Sequence, residues 1–367
     1  MRVKARLLLF FIFGCITVWG ARQQKQVLLI SSYNSRFPTY YSQIDGIKSV
    51  FDSAGIQFDA ECLDSKRFTG NEKSQLLYET LRYKMLHTHP YDAIMAADDD
   101  ALNFVLTYRT ELFDSIPIVF FGINNPEKAI HRTSDAGMTG VMEAVSMKET
   151  MEMMVHLFPS SRKMYCISDT TVSGQADLRL FRKTAQSFGS TACEVINLSQ
   201  LSFDEYVQKL EGIPADVPVL LLSAYHDKNM TTLDFDSTLS ILRRHLKSPL
   251  FHLWEHGMGE GILGGKVISH YNQAKTAARM VAGLFDGQSI SGLAVVTTSP
   301  NVWMADFNLL EKHRISVKNL PPGTLIIHQP ETYWHRNKLI ILVAVVIMTM
   351  LVLLIMVLSA NILKRKT

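Results

Sequence analysis

Cysteine is scarce in this chain, with four in 367 residues, too few for a disulfide scaffold. Charge of either sign is limited too. Lys and Arg number 37 against 34 Asp and Glu, a net +3 with part of the excess at the two ends, so a basic face for nucleic acid is not expected. Low-complexity segments and short-period repeats are absent. No Ser/His/Asp set and no paired Cys/His metal spacing stands out, so neither catalysis nor a cofactor is expected. What is present is apolar residue, 47% against 19% charged, which excludes wholesale disorder. The length suffices for two domains of ordinary size.

The two ends place the protein. Arg2, Lys4 and Arg6 precede an apolar run to about Gly20 and then Arg22. That is the pattern of a secretory signal over 1–21, with an uncleaved anchor as the alternative. Residues 339–360 form an apolar run of about 22 residues, long enough to span a bilayer. Lys364, Arg365 and Lys366 lie in the tail, 361–367. With the export signal this puts 22–338 outside the cell membrane and the tail in the cytoplasm.

From Gln26 onward, short apolar segments alternate with stretches of helical spacing. Strands are expected at 27–33, where the last residues make a polar turn, 58–63, 93–97 and 116–121, with helices between them. The pattern restarts with strands at 163–167, 193–198 and 217–222. Continuous apolar strands between helices imply parallel sheets covered on both faces. The fold class is therefore α/β, with two doubly wound lobes and a ligand cleft between them beyond the strand carboxyl ends. The first lobe is expected over 26–142, the second over 143–250, and return segments completing both over 251–338. Cys166 and Cys193 fall on neighbouring strands, where they either pair, leaving Cys62 over, or stay free thiols, the reading preferred here.

Ser32-Tyr33-Asn34 with Phe37-Pro38 and Gly46-Ile47 resembles the opening of the substrate-binding-protein-like sensor domains of bacterial membrane receptors. Asp64-Ser65-Lys66-Arg67-Phe68 resembles their second-strand motif. The best match to the family is Ala97-Asp98-Asp99-Asp100-Ala101-Leu102, continuing through Tyr108-Arg109 and Glu111-Leu112-Phe113 to Ile116-Pro117-Ile118-Val119-Phe120, Gly122 and Asn124-Asn125. Ser299-Pro300-Asn301-Val302-Trp303-Met304 and the Pro330-Glu331 segment to Trp334 also fit. The resemblance implies a type I periplasmic-binding-protein fold and a small-molecule ligand. It also implies a signalling partner such as a histidine kinase or cyclase, since the family commonly carries one after the second membrane helix and this sequence stops at Thr367. A tethered binding protein serving an ABC permease is the alternative, and a homodimer is compatible with either.

Candidate ligand contacts follow from topology. In the first lobe they are Ser32, Tyr33 and Asn34 after the first strand, Asp98 and Asp99 after the third, and Asn124 at the lobe crossover. Asp100 is expected to cap the following helix. In the second lobe they are Asp169, Thr171 and Ser173 after the first strand there, Tyr225 at a later strand end, and Trp254 as a stacking platform. Each also has a bland reading as a polar turn, a solvated neighbour or a core ring. His252, Glu255 and His256 spell an inverted zinc-peptidase signature, but five glycines from Gly257 to Gly265 argue against the helix it needs. Gly259-Glu260-Gly261-Ile262-Leu263-Gly264 lacks the following helix of a dinucleotide loop; a flexible inter-lobe segment is expected instead.

Overall fold

The computed structural model describes residues 24–68, 70–124, 137–331 and 336–366. The signal segment 1–21, Asn125 and Trp334 lie outside them. The first sheet is built from β1 (Gln26–Ser31), β2 (Gln57–Cys62), β3 (Ala93–Ala97), β4 (Ile118–Ile123) and β5 (Met138–Met142). It is parallel throughout, in the order β2-β1-β3-β4-β5.

Alternation along the central strands explains the two cores. Leu28 and Ile30 join one hydrophobic cluster with Leu81, Leu102, Phe104 and Phe113, while Val27 and Leu29 join another with Ile47, Phe51 and Phe121. Successive strand residues point to opposite faces, so an all-apolar strand must be covered on both. One face is covered by α1 (Tyr40–Ala54), the other by α2 (Asn71–His87) and α3 (Asp98–Thr107). The chain reverses direction between β1 and β3, which makes their carboxyl ends the switch point of the sheet.

The second sheet holds β6 (Lys163–Ser168), β7 (Ala192–Asn197), β8 (Val219–Leu221), β9 (Leu250–Phe251), β10 (Gly264–Val267), β11 (Val302–Asp306) and β12 (Leu325–Ile327). Their order is β12-β11-β10-β9-β8-β6-β7, parallel except for the β10–β11 pair. Between β10 and β11 the chain leaves this lobe. The helix His270–Phe285, α4 in this description, packs Ala274, Ala277, Ala278 and Val281 into the first lobe's core against α1.

One sequence expectation needs correction. The glycines after His256 do not form a flexible link between lobes. Gly257, Gly259 and Gly261 take positive φ in a tight turn inside the second lobe, and Gly264 and Gly265 are buried in β10. The cysteine reading preferred from the sequence holds: among the described residues Cys62, Cys166 and Cys193 are free thiols, and Cys193 sits opposite Met164 rather than Cys166.

The C-terminal helix, Lys338–Lys366, is α5 here. Its stretch Lys338–Asn361 has a mean hydropathy of 3.4 and no part of it is buried, so it is long and apolar enough to cross a membrane.

Candidate functional site

The loops that follow the parallel strands of both lobes meet, and side chains from the two lobes touch. Glu143, just past β5, lies against the indole of Trp254, just past β9 in the other lobe, which favours its charged form. Glu143 is therefore a cleft residue, one that sequence reasoning missed. Its only sequence signal was position, directly after an apolar strand.

Burial raises the Glu143 carboxyl to about 8, and the negative charge of Asp98 adds to the effect. Asp98 is buried at 8% exposure, and desolvation lifts its carboxyl to about 7. It accepts a 3.1 Å hydrogen bond from Gln43 Nε2, which holds the charged form against that trend. Asp98 takes φ 69°, and a side chain at Gly122 would meet its Oδ1 at 2.8 Å. The glycine thus leaves room for the carboxylate at the strand ends. Asp99 accepts the Asn124 amide at 3.4 Å, and Asn124 itself is exposed.

Tyr33 lies beside these acids. Its hydroxyl is pushed well above its ordinary range by burial and by Asp98, Asp100 and Glu143. Its ring packs on Phe37 at 4.1 Å, with Lys66 Nζ 5.3 Å above the ring centre.

Other first-lobe candidates are held by the fold. Ser32 is fully buried; its hydroxyl donates to Ala97 O at 2.9 Å and accepts from Ala101 N at 2.8 Å. It therefore caps α3 from a neighbouring strand. Asp100, expected to cap that helix, is instead exposed, because the first-turn amide already has the Ser32 oxygen. Asn34 is turned onto Asp64, which is also ion-paired with Arg67.

In the second lobe Asp169 is fully buried, with both oxygens occupied. Oδ1 accepts from Thr171 N at 3.0 Å, Thr171 Oγ1 at 2.6 Å and Ser223 Oγ at 2.8 Å, while Oδ2 accepts from Tyr225 N at 2.6 Å. It ties the turn after β6 to the turn after β8. Thr171 caps the next helix through Gly174 N at 3.1 Å, and Ser173 is exposed. Tyr225 keeps a half-buried ring, its hydroxyl raised by burial and by Asp169. Asp177, one turn into that helix, is raised to about 6 by burial and adds to the potential at Glu143.

Trp254 belongs to a ring cluster that sequence reasoning left out. His252 lies 5.2 Å from its indole and 5.1 Å from His256, and Phe235 packs 4.5 Å from His256. The segment is a turn rather than a helix. His252 Nδ1 meets Leu221 O at 2.8 Å and its Nε2 faces His256 Nε2 at 3.4 Å. His270, the first residue of α4, stands where the chain crosses between lobes. Desolvation lowers His252 to about 3, His256 to about 4 and His270 to about 3, so all three are neutral at pH 7. Among the described residues no group of three or more His, Cys, Asp and Glu is arranged to hold a metal ion.

Besides the cleft, an open groove of about 660 Å³ runs along the first lobe between α2 and α3, lined by Leu63, Phe68, Lys73, Asn103 and Tyr108.

No protein-family model matches the sequence, and no curated protein does either. Solved structures do match. A substrate-binding protein with adhesive properties from Clostridium difficile, in its ligand-free open form, aligns at TM-score 0.60 and 12% identity over 83% of this chain and 100% of its own. An ABC domain from Streptococcus pneumonia in complex with L-Trp aligns at TM-score 0.57 and 12% identity, again over 83% and 100%. A conserved domain protein from Vibrio cholerae aligns at TM-score 0.54 and 13% identity over 83% and 99%. The two parallel-sheet α/β lobes of this chain are thus similar in fold to these proteins, of the periplasmic-binding-protein type; in this chain one apolar helix follows them.

Proposed function

We propose that this chain is a membrane-anchored, extracytoplasmic binding protein, and not an enzyme, whose two lobes close on a small molecule. The observation that carries the reading is the meeting of polar groups from both lobes at the strand carboxyl ends, with Glu143 against Trp254. A ligand that touches both lobes favours the closed form by its differential contacts and shifts a pre-existing equilibrium. The helix Lys338–Lys366 would carry closure to the membrane, where a histidine kinase, a cyclase or a second copy of the chain would receive it. A second reading is a tethered solute-binding protein delivering to an ABC permease. It is favoured by the similarity to the substrate-binding protein from Clostridium difficile.

A thermal-shift screen of the detergent-solubilised full chain against a broad metabolite panel tests the binding reading. A ligand at 100 times its dissociation constant adds about 2.7 kcal/mol of stability. The shift is expected to vanish in Asp98→Asn. Silence across the whole panel would overturn it.

A further inference from the structure

We infer that the cleft takes a ligand bearing a positively charged amine without a carboxylate, held by acids of both lobes against aromatic rings; this rests on the ligand-cleft reading above. Acids from both lobes converge there. Asp98 and Asp99 follow β3 and Glu143 follows β5 in the first lobe, and Asp177 lies in the helix after β6 in the second; Glu255 sits in the second lobe beside Ser269 and His270. Burial raises Asp98, Glu143, Asp177 and Glu255 alike. Facing cations are few. Lys66 reaches Asp98 electrostatically but does not restore its ordinary acidity, and Arg67 is committed to Asp64.

A second, independent observation points to an occupant. Among the described residues, Glu255 Oε2, on a partly buried side chain, and His270 Nε2, on a buried one, have no hydrogen-bond partner. Glu255 is satisfied on its other side by Ser269 and the His270 backbone. His270 is only 7% exposed and feels the charge of His256. Leaving such groups unmade costs free energy, so buried polar atoms are normally paired. A carboxylate oxygen can only accept and a neutral imidazole nitrogen can accept, whereas an ammonium brings three donors and no acceptor. The rings of Trp254, His256 and Phe235 beside them offer π-faces, which attract cations. Tyr33 already has an ammonium over its ring, that of Lys66. A ligand carboxylate would instead bring a second negative charge beside Asp98 in a desolvated cleft.

Calorimetric titration of the detergent-solubilised full chain at pH 7.5 tests this with four probes: tryptamine, phenethylamine, tryptophan and glucose. Tryptamine or phenethylamine is expected to bind at least tenfold more tightly than tryptophan, with glucose weaker still. Glu143→Gln keeps the side chain's shape and is expected to weaken the amine tenfold or more while leaving tryptophan unchanged. Asp177→Asn serves as a second variant, with unfolding temperature as the check that each variant folds. Tighter binding of tryptophan or glucose, or a neutral or anionic compound as the best ligand in the metabolite panel, overturns the inference while the ligand cleft stands. Absence of binding by every probe and every panel member overturns both.

Discussion

Ser32 shows how one hydroxyl can be fully occupied by the fold. It sits at the first strand-to-helix turn, where sequence reasoning looks for ligand contacts. Its oxygen instead bridges Ala97 O and Ala101 N, a cap supplied across 69 positions of sequence. Asp169 is similar, with its carboxylate surrounded by four donors from its own lobe. Substituting Ser32→Ala removes one acceptor from a helix start, and loss of a cap costs about 1–2 kcal/mol. Chemical denaturation is expected to show that loss while ligand affinity stays unchanged; a selective loss of affinity would return Ser32 to the cleft. Residue type and place in the chain could flag these polar positions as candidates. Which of them were free to meet a ligand depended on partners 54 to 69 positions away, and no local pattern reports that. Glu143 escaped for the same reason, because its relation to Trp254 exists only once two lobes are assembled.

At the scale of elements, the apolar strands were the most legible feature. Runs such as 27–31 and 93–97 are buried on both faces, so composition alone marks them. In the glycine-rich stretch after His256, glycine density signals freedom, whereas the structure uses three positive-φ glycines in a tight turn and two more in a buried strand. Gly46 is a further case of glycine chosen for space. In α1 it faces α4, and a Cβ there would lie 2.3 Å from Tyr271 O and 3.1 Å from Ala274 Cβ. That contact fastens the helix arriving from the second lobe onto the first. Gly46→Ala must push backbone aside, and overpacking of this kind costs about 1–3 kcal/mol, although alanine favours helix over glycine. The variant is expected to melt at lower temperature than the parent; equal or higher melting would mean that α4 is not held this tightly.

At the scale of the whole molecule, the cleft ties folding to pH through two sets of groups with opposite signs. Asp98, Glu143 and Asp177 have folded values of about 7, 8 and 6, above the ordinary carboxylate value near 4. The folded chain binds more protons than the unfolded one over that span. Their contribution is therefore fully present below about pH 4 and lost as pH rises through 6 to 8. His252, His256 and His270 have folded values of about 3, 4 and 3, below the ordinary imidazole value near 6.5. Their contribution is present above about pH 6.5 and lost as pH falls through 4 to 3. Between pH 4 and 6.5 the two slopes oppose, whereas above pH 6.5 only the carboxyls still change. Lys66 softens the rise at Asp98 without reversing it. The unfolding temperature of the full chain in detergent is therefore expected to fall from pH 6.5 to 8.5. Glu143→Gln removes the group with the highest of the three values and is expected to flatten that fall. An amine bound in the cleft would supply the positive charge in place of the protons, and so would flatten it in the parent as well. A parent curve that is level between pH 6.5 and 8.5, or a Glu143→Gln curve that falls as steeply as the parent, would show that these acids are not desolvated together in the folded chain.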